Sequence, residues 1–445
     1  MVLLKRVSFL SGQLGLMVLV RFFFSWNLKF ADTRSVEGEI LLDTSIVGLV
    51  FFAARIFDGV TDPIAGWLAD RWVRRGHERR TLLWFSVAVP AAGLALIFLP
   101  SHDMSVTLRW VCLVSGMFLF FVGYTLYAIP YWSLTNDYGE SEKDRRVLST
   151  LLGTGLILAT AVVGILSPIL VDSFGFLPTA LIFVLPCIVA MALPYFAAPK
   201  GYGAKPGTAV SDGVAAAHAT QGSILENKAP SILRQLIQAL KHRRFLALLL
   251  IFSGSQMAFT VVTATAPFIA TVLLGGTNKD VAKIMAPFLG TAIPCFLIAP
   301  YLSKRFGWER LFVVASLALA VVYGGAAGLG KAWIGSPMTT AMLVFATAGP
   351  MAAILLALEA EAITDCAREA GGNRVSLYFG VFNFVVKGLN GAAIAITGVL
   401  VTLAGDPKWE HTAVRLMPML AGTLLVVGVI GYTIVRPRKQ GDAPK

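Results

Sequence analysis

The segment Arg55-Ile-Phe-Asp58-Gly-Val-Thr61-Asp62-Pro63-Ile-Ala-Gly66-Trp-Leu-Ala-Asp70-Arg71 places charged side chains inside a long apolar stretch. Residues three or four apart share one face of a helix, so a helix here would align Arg55, Asp58 and Asp62. The Thr61 hydroxyl would lie beside Asp62. Charges at membrane depth are costly and mark functional sites by default. Carboxylate and hydroxyl oxygens are hard ligands, so the pattern indicates a site for a small cation.

The composition is that of a protein that crosses a membrane many times. Of the 445 residues, 56% are hydrophobic and only 14% are charged, and the mean hydropathy is +0.74. Soluble proteins carry about 25% charged residues. A spanning helix needs roughly 20 apolar residues, so twelve spans would take about 240 residues or more. The sequence predicts an all-α membrane protein with twelve transmembrane helices, at 8–30, 40–69, 81–100, 108–135, 147–171, 176–197, 244–274, 281–302, 309–330, 337–364, 375–403 and 412–435.

The predicted helices fall into two pseudo-symmetric halves of six. The halves would occupy residues 1–197 and 244–435, with a linker at 198–243 and a tail at 436–445. The linker contains Gly, Pro, Ala and Ser and then turns basic, with an amphipathic stretch near 231–240. Short basic turns follow both the second and the eighth span. Such repeats are typical of transporters whose binding site lies between the halves, near the midplane.

The charge of the chain is asymmetric across the predicted bundle. A net charge of +12 and a pI near 9.6 would fit a nucleic-acid partner, but the cations concentrate in loops on the side of both termini. Cytoplasmic loops of membrane proteins are enriched in Lys and Arg. We therefore expect a monomer in the inner or plasma membrane with both termini cytoplasmic, the lipid bilayer around it and no nucleic-acid partner.

Three motifs resemble those of one transporter family. The first runs from Arg55 to Asp70, and the third is Val385-Val386-Lys387-Gly388. The second is Tyr124-Thr125-Leu-Tyr127-Ala128-Ile129-Pro130-Tyr131-Trp132-Ser133-Leu134, followed by Asp144-Arg145-Arg146. With the two-half organisation, they resemble the major facilitator superfamily. Within it, they are most similar to the glycoside–pentoside–hexuronide:cation symporters, the group of melibiose permease. The resemblance covers nearly the whole chain.

The resemblance implies the major facilitator fold and a cation site shared by the second and fourth spans. Carried over by motif, that site comprises Asp58, Asp62 and Thr125, with Thr61 where the family often has asparagine. Na⁺ or H⁺ would be the coupling ion, and no cofactor is expected.

Two basic residues are the expected charge partners of these carboxylates. Arg55 precedes Asp58 by one turn, and Lys387 lies about twelve residues into the eleventh predicted span, near the bilayer centre. We expect Lys387 to pair with Asp58 or Asp62 when the cation is absent. The alternative for Lys387 alone is snorkelling to an interface. The alternative for the whole group is an ion-pair network that only holds helices together.

The basic loop after the second span is a candidate gate. It contains Asp70, Arg71, Arg74 and Arg75. In the superfamily that the chain resembles, this loop locks the cytoplasmic ends of helices in one state. The same charges also determine topology, and the two roles are compatible.

The residues that would contact a solute argue against a neutral simple sugar. Sugar-transporting relatives carry an aspartate where this chain has Ala128, and no carboxylate lies between Val7 and Phe30. Arg21 favours an anionic solute, unless it is an interfacial arginine, and lysolipid symporters also lack that aspartate, so an amphiphile fits. The aromatic residues could stack on a solute or could serve packing alone. The expected substrate contacts are Gln13, Arg21, Tyr127, Tyr131 and Trp132.

Three acids lie near the end of the tenth predicted span. Glu359, Glu361 and Asp365 are expected at the cytoplasmic interface, on a solvated face.

The sequence thus predicts cation-coupled symport of a small organic solute by alternating access. The alternatives are cation-driven efflux of a drug, lipid or metabolite, and a non-transporting membrane receptor with a transporter fold. An enzyme is not expected, because no nucleophile–base pair or metal-ligand cluster is evident.

Overall fold

The computed structural model describes residues 2–138, 141–198, 240–331, 335–369 and 375–436. Within these ranges the chain is helical. The helices are α1 Val2–Ala31, α2 Thr44–Arg74, α3 Thr81–Ser86, α4 Ala88–Ile97, α5 Val106–Tyr138, α6 Glu142–Phe174, α7 Phe176–Ala197, α8 Arg243–Phe268, α9 Asp280–Phe306, α10 Trp308–Gly325, α11 Pro337–Glu369, α12 Val375–Ala404 and α13 Glu410–Val435.

Eleven helices in the described part of the chain are long and apolar enough to cross a membrane. The third predicted span is instead divided at Val87 into α3 and α4. Pro90 explains the break, because a proline lacks an N–H and its ring clashes with the carbonyl four residues earlier, here that of Ser86. At 1.5 Å per residue the pair is about 25 Å long, nearly the thickness of a hydrocarbon core. Large apolar side chains such as Val321 and Leu297 are about three-quarters exposed on the outside of the bundle, as lipid contact requires. The protein is an integral, multi-pass membrane protein.

Capping residues set several helix ends away from the predicted positions. The Asp43 carboxylate accepts hydrogen bonds from the N–H groups of Ser45 and Ile46, so α2 begins at Thr44 and not near residue 40. Gly175 separates α6 from α7 with a φ of +81°, a conformation that favours glycine.

Several helices are longer than predicted. Helix α1 begins at Val2 and not at residue 8, and α11 continues to Glu369 and not only to residue 364. The predicted amphipathic stretch at 231–240 lies outside the described residues apart from Leu240.

The helices pack as two groups that meet along three pairs. Helices α1 to α7 contact one another, as do α8 to α13, and the pairs α2–α12, α6–α9 and α1–α8 join the groups. The α2–α12 contact is especially close on the side opposite the termini. There the Thr44 hydroxyl donates to the carbonyl of Gly398 at 3.1 Å, and a Cβ on Gly398 would lie 2.3 Å from the Thr44 carbonyl oxygen. A glycine is therefore required for the two helices to touch at this point.

Candidate functional site

Four charged side chains meet in the interior between α2 and α12. Asp58 is fully buried and Asp62 is 3% exposed. The Arg55 Nη1 atom lies 2.6 Å from Asp58 Oδ2, and the Lys387 Nζ atom lies 3.0 Å from the same oxygen. Lys387 also donates a hydrogen bond to Asp62 Oδ2. The structure thus brings together both predicted carboxylates and both predicted charge partners.

A hydroxyl from α5 joins the two carboxylates on their other edge. The Thr125 Oγ1 atom is 2.7 Å from Asp58 Oδ1 and 3.1 Å from Asp62 Oδ1. The Thr61 hydroxyl instead donates to the backbone carbonyl of Asp58 at 3.1 Å. The Thr61 hydroxyl therefore donates its hydrogen bond within its own helix, as hydroxyls in helices often do. We call the group Arg55, Asp58, Asp62, Thr125 and Lys387 the acidic cluster.

The close approach of α2 and α12 is what carries Lys387 to the carboxylates. A Cβ on Gly391 would lie 3.0 Å from Phe52 Cα and 3.1 Å from Arg55 Cβ. Since Gly391 is one turn beyond Lys387, a bulkier residue here would separate the helices beside the acidic cluster.

Arg55 is held by aromatic rings as well as by Asp58. Its Cζ atom lies 5.2 Å from the Phe121 ring centroid and 5.6 Å from that of Phe24. These contacts, from α5 and α1, give the guanidinium cation–π stabilisation on top of its ion pair. With both cations engaged, the acidic cluster is formally neutral: two carboxylates against one guanidinium and one ammonium.

A cavity of 290 Å³ lies beside the acidic cluster, between the two groups of helices. Gln13, Arg21, Tyr124 and Trp132 line it from α1 and α5. Tyr124 lies between the two regions, because its ring centroid is 5.7 Å from Lys387 Nζ while its ring also faces the cavity. The Trp132 indole N–H donates to the Gln13 Oε1 atom at 2.9 Å, which orients both side chains.

Two of the expected substrate contacts do not line this cavity, which corrects the sequence-based expectation. Tyr127 and Tyr131 are fully buried. The Tyr127 hydroxyl donates to the Met191 carbonyl at 2.7 Å, and the Tyr131 hydroxyl donates to the Phe9 carbonyl. A Cβ on Gly12 would lie 2.7 Å from the Tyr131 ring, so glycine lets α1 press against both tyrosines. Their role in this structure is packing between α1, α5 and α7.

Ala128 also lies away from the cavity surface. It is fully buried, although it shares a helix face with Tyr124 and Trp132 at spacings of four. Those two rings are in edge contact, with centroids 6.1 Å apart.

The predicted gate residues lie at the end of α2 on the side of the termini. Arg71, Arg74 and Arg75 are exposed, and the Arg71 Cζ atom lies 5.0 Å from the Trp67 ring centroid. The side chain of Asp70 lies outside the described part. On the same side, Arg6 Nη2 and Asp144 Oδ1 form an ion pair of 3.1 Å between α1 and α6.

Glu359 is the site residue that the sequence analysis misplaced. It lines the cavity, half-buried, and accepts a hydrogen bond from the Gln256 Nε2 atom of α8. The expected solvated cytoplasmic position is therefore wrong for Glu359. Because α11 continues for ten residues beyond it, about 15 Å of helix separates Glu359 from the helix end. A polar residue at mid-span in the seventh predicted helix, Gln256, was the available signal. The side chain of Glu361 lies outside the described part.

Comparison with known proteins assigns the chain to a protein family. The sequence pattern described as "MFS/sugar transport protein" matches residues 11–431, nearly the whole chain. The chain belongs to this family. MFS stands for the major facilitator superfamily, so the fold and family expected from the motifs are confirmed.

Two relatives and one solved structure illustrate the similarity. A glycoside/cation symporter named YagG from Escherichia coli is 29% identical over 110 residues, 24% of each chain. The sodium-dependent lysophosphatidylcholine symporter 1-B of Danio rerio is 30% identical over 131 residues, 26% of this chain and 24% of that protein. The matches therefore span about a quarter of the length of these curated relatives.

The solved structure of a bacterial homologue of the human lysosomal transporter Spinster, in an inward-facing and unoccupied conformation, matches with a TM-score of 0.65. It is 15% identical and covers 98% of this chain and 96% of its own. At that identity the likeness concerns the fold alone.

Proposed function

We propose that this MFS protein is a secondary active transporter that couples a small organic solute to Na⁺ or H⁺ by alternating access. One observation carries the proposal: the Thr125 hydroxyl contacts both Asp58 and Asp62, and the ammonium of Lys387 contacts the same two carboxylates. We infer that a monovalent cation takes the place of this ammonium. The names of two relatives, a glycoside/cation symporter and a sodium-dependent symporter, support it.

Exchange between Lys387 and the cation would be the coupling step. Buried carboxylates need compensating charge, and the acidic cluster has it only while Lys387 is present. A Na⁺ ion bound by carboxylate oxygens and the Thr125 hydroxyl would replace that charge and release the ammonium. The released Lys387 would lie near Tyr124, whose ring borders the cavity. Cation binding would thereby change the wall of the solute cavity.

Such coupling has a defined energetic consequence. If the cation raises solute affinity, the solute must raise cation affinity by the same factor. One charge moving through 100 mV supplies about 2.3 kcal/mol, enough for roughly 50-fold accumulation of a solute.

The proposal includes orientation and gating. The basic loops on the side of the termini favour a cytoplasmic position for both termini, in an inner or plasma membrane. Arg71, Arg74 and Arg75, with Asp70, would hold the cytoplasmic helix ends together in one state of the cycle. The exposure of the three arginines is compatible with this role, because it leaves them room to bind partners when the bundle rearranges.

The test measures the cation response of purified protein before any solute is known. A ligand that binds the folded state raises its melting temperature by mass action. We expect NaCl to raise the melting temperature of the wild type above its value in choline chloride, and Asp62→Asn and Asp58→Asn to abolish the rise. If H⁺ is the ion, the wild type instead shows a pH-dependent melting temperature that Asp62→Asn flattens.

Asp103→Asn is the matched control, because Asp103 is exposed in a loop far along the chain from the acidic cluster. It should respond like the wild type. Equal responses to Na⁺ and pH in the wild type and in both cluster variants would refute the proposal. Solute uptake into vesicles, with the cation gradient in either direction, then separates import from efflux and from a receptor that does not transport.

A further inference from the structure

Among the described residues, one positive and one negative side chain that line the central cavity form no ion pair, and they come from the two opposite halves. We infer that the transported solute is a zwitterion with an apolar portion, whose anionic group binds Arg21 and whose cationic group binds Glu359. This inference rests on the proposed transport function and names the solute class for it.

Arg21 is the anion-binding side of the cavity. Its Cζ atom lies 5.0 Å from the Phe259 ring centroid, so one face of the guanidinium is stacked. Its buried Nε has no hydrogen-bond partner, and among the described residues no carboxylate lies within ion-pair distance of it. A guanidinium has five N–H donors in a planar fork that suits carboxylate or phosphate. The edge of Arg21 is therefore free to bind such a group.

Glu359 is the cation-binding side. The Gln256 amide donates to its Oε2 atom, which fixes the carboxylate toward the cavity. Within the described part of the chain, no Lys, Arg or His forms an ion pair with it. A carboxylate away from water is costly unless a cation compensates it, and Glu359 has only a neutral amide.

One face of helix α8 contacts both charged groups. Gln256, which holds Glu359, and Phe259, which stacks on Arg21, are three residues apart on this helix. Residues at this spacing share a face, with Cβ atoms about 5–6 Å apart. One molecule can therefore contact both charges across a single helical turn. Arg21 and Glu359 form no ion pair with each other.

Most of the remaining wall is apolar and the space is small. Leu152, Leu156 and Ile157 of α6 face Phe288, Leu289 and Ile293 of α9 across the cavity. A volume of 290 Å³ is at the lower end of the range for small-molecule sites, about 300–1,000 Å³. The cavity suits a compact zwitterion bearing an alkyl part, or the headgroup of a zwitterionic lipid whose chain extends between helices.

Neither a neutral sugar nor a simple anion satisfies both groups. A neutral polyol would leave two buried charges without a counter-ion, and a monoanion would leave Glu359 uncompensated. A ligand with a negative group at Arg21 and a positive group at Glu359 compensates both side chains.

The test uses matched probes that differ in one charge. They are 6-aminohexanoate, hexanoate and hexylamine, with glycerophosphocholine and lysophosphatidylcholine to distinguish a soluble zwitterion from a lipid. Binding is measured by the shift in melting temperature in NaCl. For wild type we expect at least one zwitterion to bind ten-fold or more tightly than hexanoate and hexylamine. A response to lysophosphatidylcholine but not to glycerophosphocholine would assign the site to a lipid, and a response to 6-aminohexanoate to a soluble solute.

Variants assign the charges. Glu359→Gln should weaken zwitterion binding ten-fold or more while leaving hexanoate unchanged, and Arg21→Gln should weaken both. Glu359→Asp keeps the negative charge and should keep the preference for zwitterions over hexanoate and hexylamine. This variant also provides a test if Glu359→Gln does not fold. Glu37→Gln, in an exposed loop, is the matched control. Wild-type zwitterion affinity in Glu359→Gln, or no zwitterion bound at all, would overturn the inference.

The Na⁺ response separates the two claims. If Na⁺ still raises the melting temperature while no zwitterion is preferred, only the solute class is wrong. If the Na⁺ and pH responses are absent as well, the proposed function itself fails.

Discussion

The acidic cluster and the central cavity lie on either side of Tyr124, and they treat buried charge in opposite ways. In the acidic cluster each carboxylate has a cation within hydrogen-bond distance and shares the Thr125 hydroxyl. In the cavity, the Arg21 guanidinium and the Glu359 carboxylate each lack an ionic partner among the described residues. A region whose charges are balanced can exchange one cation for another of equal charge. A region whose opposite charges are each unpaired can be completed by a ligand that carries both charges.

The largest expected effect comes from removing Lys387, the ammonium that the protein itself supplies to the acidic cluster. Lys387→Ala leaves Asp58 and Asp62 with one guanidinium between them, and breaking a buried pair in this way costs about 3–5 kcal/mol. We expect a large loss of melting temperature in choline chloride, and a recovery in NaCl that exceeds the Na⁺ effect on wild type. The measurement is thermal unfolding of detergent-purified protein in both salts.

A double variant shows whether charge balance is the cause. Lys387→Ala with Asp62→Asn has one carboxylate against Arg55 and should recover stability in choline chloride without any response to Na⁺. A lysine variant as stable as wild type in choline chloride would mean that the acidic cluster is not balanced by Lys387.

The next effect concerns the hydroxyl that both carboxylates share. Thr125→Val removes the oxygen that would bind the cation together with both carboxylates, and a polar contact to a charged group contributes about 1.5–3 kcal/mol. We expect the apparent Na⁺ affinity to fall about ten- to hundred-fold, measured by Na⁺ titration of the melting temperature. Thr125→Ser keeps the hydroxyl and should stay within a few-fold of wild type. Similar losses in both variants would mean that the hydroxyl is not the cause of the effect.

A third effect tests whether the α2–α12 contact is closed on the side opposite the termini. Gly398→Val would drive a side chain into the Thr44 carbonyl, and such overpacking typically costs about 1–3 kcal/mol. The helices should separate on the side opposite the termini. A cysteine at position 44, buried at present, should then react faster with a membrane-impermeant maleimide. Gly290→Val is the control, because a Cβ there meets no atom within 4 Å. Unchanged labelling in Gly398→Val would show that the contact is not rigid.

The smallest effect comes from an ion pair that is only partly shielded from water. Asp32 lies 3.8 Å from Lys29, near Arg34 and Glu410, and burial raises the pKa of Asp32 while Lys29 opposes the rise. The fold therefore favours the protonated carboxyl. Its stability should fall as pH rises from about 4 through that raised pKa, because the native state binds more protons there.

Replacing this carboxyl should remove that slope. Asp32→Asn is expected to flatten the decline of the melting temperature as pH rises from about 4, relative to wild type, since the amide does not ionise. A parallel pH profile in the two proteins would mean that Asp32 is solvated like an ordinary carboxyl.

The sequence predicted the acidic cluster better than the cavity, for physical reasons. Charges at spacings of three and four inside an apolar segment stand out, and a lone lysine at mid-span must find a partner, so Asp58, Asp62 and Lys387 could be grouped in advance. The sequence could not show in this way which aromatic residues of α5 face the cavity and which pack against other helices. Tyr127 and Tyr131 pack against α1, whereas Tyr124 and Trp132 face the cavity, and only tertiary contacts decide between these faces.

Glu359 was misplaced because hydropathy marks where apolar residues end, and not where a helix ends. The acids at positions 359 to 369 lower the local hydropathy, so the predicted tenth span stopped at 364. The helix in fact continues to Glu369. The Gln256 hydrogen bond, which needs the α8–α11 contact, is what identifies Glu359 as part of the cavity.

The position of Arg55 between Phe24 and Phe121 limits the charge that the protein can carry in each cycle. Because the guanidinium is held by two rings and by Asp58, it neutralises one carboxylate in every state where those contacts persist. In the proposed transport cycle only one negative charge would then be left for an exchangeable ion, which would set a stoichiometry of one monovalent cation per solute. Carrying a zwitterion with that ion would move one net charge and generate a current, whereas carrying a monoanion would be electrically silent. The membrane potential would therefore drive accumulation of the first kind of solute and not of the second.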